Sequence, residues 1–527
     1  MSTVGATSLP GLEPDLDRAR ELAEHANVVP VRYRFVEDCE TPVSAFLKLR
    51  GEGPAFLLES AEQGRLGRWS FLGFRPRAIL RWAEGVLSEW GGDAAADSGH
   101  GAAPDRTTDA PDPYAAMAEY LGRYEIAEPD ELPPFAGGAV GFFGYDLVRT
   151  VEPLPEPNPD PIGLPDMALM ISDVLVAFDH QRHEVTVIAN AFVEDGGIDE
   201  AYARAAETIA EVREKLREPV PIPGDPVDAR ALPQGATRNG LEESPVDVGF
   251  ESNMTRRQFE STVSRIIEYV HAGDAFQVVP SQRFTAQSPV EAFSIYRGLR
   301  VINPSPYMYF LDFGDFEIAG ASPEPLVKVT GRRVETRPIA GTYPRGANEE
   351  EDRRQAERLL HDPKERAEHV MLVDLGRNDL GRVCEYGSVS VDELMVVETY
   401  SHVLHIVSQV SGTLREEVSA MDVLRSVLPA GTLSGAPKVR AMQIIDEVEP
   451  HKRGSYGGAI GYLSYTGDLD TAIHIRTVVV KDGLVHVQAG GGTVADAQPA
   501  YEYNESVNKA KAVFRAVELA TEQPEWP

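Results

Sequence analysis

Cysteine is nearly absent from the 527 residues: Cys39 and Cys384 are the whole supply, too few for a disulfide framework or a zinc cage. No apolar run approaches the ~20 residues of a membrane-spanning helix. Met1 to Asp15 carries no signal-peptide pattern either, so the expected home is the cytoplasm. Basic residues are scarce as well. Lys and Arg number 50 against 83 Asp and Glu, and a formal charge of −33 argues against nucleic acid or an anionic membrane surface as partner, because both need a basic footprint. A doubly anionic substrate would be repelled too, unless local arginines or a metal reverse the field. What the chain does have is 42% hydrophobic content, enough for one large or two ordinary cores.

Two biased segments divide it. Gly91 to Asp112 is rich in Ala, Gly, Asp and Pro without apolar periodicity and is expected to be a flexible surface insertion. Glu218 to Val248 holds Pro219, Pro221, Pro223, Pro226, Pro233 and Pro245 and reads as a linker. The expected organisation is a flexible leader 1–28, an N-terminal region 29–217, the linker 218–248 and a C-terminal region 249–522. The last region opens with a helix capped by Thr255 and Gln258, striped by Phe259, Val263, Ile266, Ile267 and Val270, and stopped at Gly273. Ala275 to Phe284 is strand-like. Further strands are expected over Ala459 to Tyr465, Thr471 to Val480 and Leu484 to Gln488, the last two joined by an Asp482-Gly483 turn, before a helix from about Pro499. Meandering strands mixed with helices predict an α+β fold rather than a doubly wound sheet.

Polar residues cluster in this region. Glu502 and Glu505, three apart, share a helix face, and Glu368 lies in a helix begun by Asp362 as N-cap and Pro363. Carboxylate oxygens with water and substrate are the ligand set of Mg²⁺, though solvated acids are far commoner. Gly490-Gly491-Gly492 sits between a strand and a helix, where bare N–H groups can cradle an anion or form only a flexible loop. Arg476, on the expected strand Thr471 to Val480, is either a surface side chain or a carboxylate clamp. Glu324 follows a turn. His402 and His405 are three apart but lack a third ligand at metal spacing.

The stretch Glu335-Thr336-Arg337-Pro338-Ile339-Ala340-Gly341-Thr342, the run Glu368 to Asp379, and Asn508-Lys509 following Glu505 resemble the signatures of the chorismate-utilising enzymes, and within them the anthranilate synthase large subunits. The resemblance spans roughly Val29 to Ala520. It implies a two-lobed sandwich of mostly antiparallel sheets flanked by helices. It implies Mg²⁺ on Glu368 and Glu505 with Glu502 nearby, and chorismate held by Gly341, Thr342, Tyr456, Arg476, Gly490, Gly491 and Gly492. Glu324 is then placed to protonate the departing 4-hydroxyl, and His405, not His402, to assist a late elimination, with Gln277 and Thr342 also in the catalytic set. Branches that use lysine as nucleophile or base carry it where this chain has Ala340 or Gln277; a methyl group and an amide leave ammonia as the attacking species at C2. The implied reaction gives anthranilate and pyruvate, the first committed step of L-tryptophan biosynthesis.

Neither cysteine lies in the Gly-x-Cys-x-Gly elbow of a glutamine amidotransferase, and the chain ends soon after Glu505, so a separate glutaminase subunit and a heterotetramer are expected. Leu57-Leu58-Glu59-Ser60 and Asn303-Pro304-Ser305-Pro306-Tyr307-Met308 resemble the family's two segments that bind inhibitory tryptophan, which points to Glu59, Ser60, Pro306, Tyr307 and Met308.

Overall fold

Apolar residues at the two-residue period of a strand build two large, almost wholly antiparallel sheets, one of eleven and one of twelve strands, with helices on their outer faces. The computed structural model describes residues 10–60, 67–92, 95, 98–127, 132–221, 249–346, 348–399 and 403–522. Central strands such as Gly138–Phe143 and Met167–Ser172 are buried at every position, because both of their faces are covered.

Each sheet contains strands from both expected regions, joined along one seam. In the first, Ala55–Glu59 pairs with Tyr307–Asp312, setting Leu57 opposite Phe310 and Glu59 opposite Met308. In the second, Gly138–Phe143 pairs with Ala459–Ser464. The regions on either side of 218–248 therefore do not fold as separate bodies. Residues 222–248 of the expected linker lie outside the described residues.

Local chemistry accounts for the helices that frame the site. Thr255 and Gln258 form the expected capping box on Arg256–Ala272, and Gly273 closes that helix at φ 85°, where a side chain would be strained. Asp362 accepts from the amides of Lys364 and Glu365 to start Pro363–Gly381. The helix Ala292–Ile302 crosses the final helix Pro499–Glu522 so closely that a Cβ on Gly298 would meet the Ala516 carbonyl at 2.5 Å.

Four expectations are corrected. The leader is not wholly without structure: Asp15 caps a helix Leu16–Leu22, and Arg20 in it pairs with Asp199 at 2.8 Å; residues 1–9 lie outside the described residues. The insertion carries a short edge strand, Arg106–Asp109, paired with Val86–Gly91, and the Trp90 indole donates to the Ala102 carbonyl at 2.9 Å. Ala275 to Phe284 is two strands, Gln277–Val278 and Ser281–Gln287, broken at Pro280. Thr471 to Val480 is also two, Leu469–Ile473 in the second sheet and Thr477–Lys481 in the first, and the chain changes sheet through residues 474–476. Among the described residues no helix is long and apolar enough to cross a membrane.

The first seam is tied into the core by Phe310, fully buried, with its ring centroid 5.7 Å from that of Phe46 and 5.0 Å from that of Phe293. Phe310→Ala should cost about 3–5 kcal/mol of stability, read from urea or thermal unfolding, because the seam cannot collapse around the hole.

Candidate active site

The motif residues of the C-terminal region converge on one cavity of about 340 Å³. Its walls are the N-terminal half of Pro363–Gly381, the start of Pro499–Glu522, the strand Ile339–Pro344 and the loop after Leu484–Gly490. A larger groove of about 870 Å³, lined by Arg75, Arg77 and Lys215, gathers none of them, so size does not locate the chemistry.

Two helices each present a pair of glutamates one turn apart, Glu365 with Glu368 and Glu502 with Glu505. Burial, and then Glu505, pushes the Glu502 carboxyl up to about 7, and its buried Oε2 has no hydrogen-bond partner. Burial and then Glu368 raise Glu365. Mutual repulsion with an orphaned oxygen fits a cation as the missing partner. The pairs do not form a closed cage. Among the described residues only Glu37, Asp38 and Cys39 bring ligand atoms of three groups within 4.8 Å of one another, on the surface. An open two-plus-two arrangement suits Mg²⁺, which keeps waters and substrate oxygens. Gln277 is buried beside it and donates to Glu368 Oε1 at 3.0 Å, fixing that carboxylate's rotamer.

Close approach requires glycine at 490 and leaves little room beyond the backbone at 491 and 492. A Cβ on Gly490 would meet the Pro280 carbonyl at 2.1 Å, one on Gly491 Glu502 Oε2 at 3.2 Å, and one on Gly492 the Gln277 amide nitrogen at 2.2 Å. Lys509 bridges this loop to the acids, donating to the Gly490 carbonyl at 2.9 Å and pairing with Glu505 at 2.8 Å. Arg476 sits at the change of sheet with φ 54°, a conformation costly for a side chain of this size. It donates Nη1 to the Lys509 carbonyl at 2.7 Å, no carboxylate among the described residues lies within ion-pair distance of it, and burial pulls its pKa down. Tyr456 lies beside it, its hydroxyl pushed up to about 12 by burial and so a neutral donor. Together they form a receptor for an anion with a planar, two-oxygen face.

Gly341, at φ 70°, makes a bulge opposite His405, and a Cβ there would meet Glu365 Oε2 at 3.0 Å. Its carbonyl accepts from His405 Nδ1 at 2.8 Å, which places the imidazole proton on Nδ1 and leaves Nε2 as the basic nitrogen. Burial lowers the His405 pKa, so the ring is neutral at pH 7. On another wall, burial pushes Glu324 up to about 8, which makes it a protonated acid at neutral pH. One chamber thus holds a neutral base and a neutral acid. Ala340 lines it with a methyl group. Thr342 is in the strand opposite His405, while its side chain lies outside the described residues, as do Tyr400, Ser401 and His402.

Sequence reasoning missed Glu365 and Thr432. The first had a signal, three residues before Glu368 on the same helix face; the second had none, since its neighbour Glu324 is 108 positions away.

The inhibitor segments meet at the first seam. Glu59 and Met308 are opposed there on the face that packs against Ala292–Ile302, where Glu59 accepts from Tyr296 and pairs with Arg300 at 3.0 Å. Glu59, Ser60 and Arg300 line a separate cavity of about 280 Å³, and the buried Ser60 hydroxyl has no partner among the described residues. Pro306 is buried, and Tyr307 is on the opposite face, its hydroxyl donating to Asp470 at 3.0 Å, so the strand's alternation does not bring it to Glu59.

The family described as chorismate binding enzyme matches residues 54–515. The chain is 48% identical over 509 residues to anthranilate synthase component 1 of Pseudomonas aeruginosa, covering 96% of this chain and 99% of that one. It is 46% identical over 493 residues to the protein of that name from Thermus thermophilus, covering 93% and 98%. Anthranilate synthase component I from Streptococcus pneumoniae superposes with a TM-score of 0.72 at 39% identity, over 91% of this chain and 99% of that one. The menaquinone-specific isochorismate synthase of Escherichia coli superposes with a TM-score of 0.68 at 17% identity over 95% and 98%, a likeness of fold alone.

If the paired glutamates hold the cation, calorimetric titration of the chain with Mg²⁺ should show at least tenfold weaker binding in Glu368→Gln and in Glu505→Gln, with unchanged melting curves. Equal affinity in both variants would remove the site.

Proposed function

Because the chain belongs to the chorismate-binding enzymes, in the branch of anthranilate synthase component 1, we propose that it converts chorismate and ammonia to anthranilate and pyruvate in tryptophan biosynthesis. The observation that carries this reading is Arg476, a half-buried guanidinium without a carboxylate partner among the described residues, lining a chamber that also holds two glutamate pairs, a protonated acid and a neutral histidine. A dicarboxylate satisfies both ends of that chamber at once. Arg476, Tyr456 and the glycine loop would take the enolpyruvyl carboxylate, while Mg²⁺ on Glu368, Glu502 and Glu505 would neutralise the ring carboxylate.

Glu324 gives its proton to the 4-hydroxyl, which leaves as water while ammonia bonds to C2. His405 is suited to the second stage, in which the C2 proton is removed, the C3–oxygen bond breaks and pyruvate departs from an aromatic ring. Ala340 and Gln277 offer no amine or base to compete with ammonia. Neither thiol of this chain is activated: Asp38 raises Cys39 and burial raises Cys384. On this reading ammonia is supplied by a separate glutamine amidotransferase subunit in a cytoplasmic heterotetramer.

Purified chain given chorismate, Mg²⁺ and ammonium should release anthranilate, identified by fluorescence and mass; isochorismate, salicylate or a para-amino product instead would overturn the reading. At fixed free ammonia, the kcat/KM profile for chorismate should fall as pH rises through about 8, where Glu324 loses its proton, and should fall on the acid side only below the usual histidine range, because His405 must stay neutral. A profile flat from pH 6 to 10 would remove Glu324 as the acid.

Tryptophan is proposed to inhibit from the seam cavity. Ser60→Phe and Met308→Thr should keep activity while raising the half-inhibitory tryptophan concentration about tenfold, a coupling loss of about 1.4 kcal/mol. Unchanged inhibition in both would exclude the site.

A further inference from the structure

Glu324 cannot work as an acid by burial alone. A carboxylic acid has one proton and two oxygens, and an acid that delivers to one leaving group must have the proton on the oxygen that faces it. Thr432 supplies the asymmetry: its hydroxyl donates to Glu324 Oε1 at 3.1 Å. An oxygen that accepts a hydrogen bond behaves as the carbonyl oxygen of the protonated acid, which puts the proton on Oε2.

The threonine is itself held from several sides. It lies in the short helical turn Gly431–Ser434, where Arg453 Nη1 donates to the Leu433 carbonyl at 2.6 Å and the Ser434 hydroxyl to the Ala430 carbonyl at 2.9 Å. The Val279 amide donates to the Ser434 carbonyl at 3.0 Å. A Cβ on Gly431 would meet Leu375 at 2.7 Å, so the turn is packed directly against Pro363–Gly381. Arg453 is buried, bonds the Val279 carbonyl at 2.7 Å and pairs with Glu449, tying the turn to the segment that also carries Gln277. The Glu324 backbone is fixed independently, its carbonyl accepting from the Ile473 amide at 3.0 Å. Donor and acceptor therefore sit on separately held segments that this bond joins.

We propose that Thr432 is a positioning residue for Glu324: by donating to Oε1 it assigns the transferable proton to Oε2 and aims it into the chamber. The inference rests on the reading of Glu324 as the acid. Besides Thr432, the charged group that acts on Glu324 is Lys509, from the final helix, which also favours the ionised form. Removing the hydroxyl leaves Lys509 in place, so two consequences are specific. The acid loses its orientation, which lowers kcat, and its ionised form loses a donor, which moves the alkaline limb of the kcat/KM profile upward.

The test is a kinetic comparison of wild type, Thr432→Val, Thr432→Ser and Glu324→Gln with chorismate, Mg²⁺ and ammonium across pH 6–10. Thr432→Val should lower kcat at least tenfold, leave the KM for chorismate within about twofold, and shift the alkaline limb to higher pH. Thr432→Ser, which keeps the donor, should restore both. Thr432→Val with its limb unmoved, or Thr432→Ser as impaired as Thr432→Val, would overturn the proposal while leaving the acid assignment intact. An active Glu324→Gln would instead overturn the assignment on which it rests. Melting curves separate these results from misfolding, and Thr432→Ala repeats the measurement should the valine variant not fold.

Discussion

The change of sheet between Ile473 and Thr477 is the constraint on which the site depends. One continuous ladder would have alternated Arg476 with its neighbours and given it a face of an ordinary strand. Leaving one sheet and joining the other forces Arg476 to φ 54° and drives its guanidinium inward, toward the carbonyl of Lys509. Taking an unpaired cation out of water costs several kcal/mol, and strain of this kind costs of order 1–3 more. Packing of both sheets holds the arrangement. On the proposed reading, an incoming carboxylate would meet a guanidinium already partly desolvated and held in place, so part of that cost is met in folding rather than at binding.

The same strand register connects the two cavities. Glu59 faces Met308 across the first seam, Met308 faces Ala321 across the next pairing, and the Ala321 amide donates to the Arg476 carbonyl at 3.2 Å. Three strand spacings of about 4.8 Å span the distance from the proposed tryptophan cavity to the carboxylate receptor. Glu324 follows immediately on the strand Phe316–Ser322 that carries Ala321. On the proposed reading, a ligand that spreads or shifts the seam would act on the backbone holding both the acid and the arginine, without any long intervening loop.

Much of this was legible in the residues because it is local. The capping box at Thr255 and Gln258, the stop at Gly273 and the N-cap at Asp362 are decided within a few positions, and each formed as read. The glycine loop was legible as a place of close approach, though what approaches, Pro280, Gln277 and the paired glutamates, is not sequence-local. The failures share one cause. A strand's period cannot show that the chain will leave one sheet for another at residue 474, nor that the leader helix finds Asp199 far along the chain. Thr432 had no local signal, because its partner is supplied only by the fold.

Charge sets the order of events on the proposed reading. The chain carries a formal −33, and the two glutamate pairs bring four of those acids together in the chamber, so a dianion approaching the bare site is opposed at short range. Arg476 and Lys509 offset part of this, but Lys509 is already paired with Glu505. Without a cation, Glu502 keeps a proton up to about pH 7, since burial and its neighbour disfavour a second charge. A divalent ion held by Glu368, Glu502 and Glu505 would favour their ionised forms, so its uptake would release a proton and would make this end of the chamber attractive to the ring carboxylate. Metal before substrate is therefore the sequence that Coulomb's law favours, with the arginine end prepared by the fold and the glutamate end by the ion.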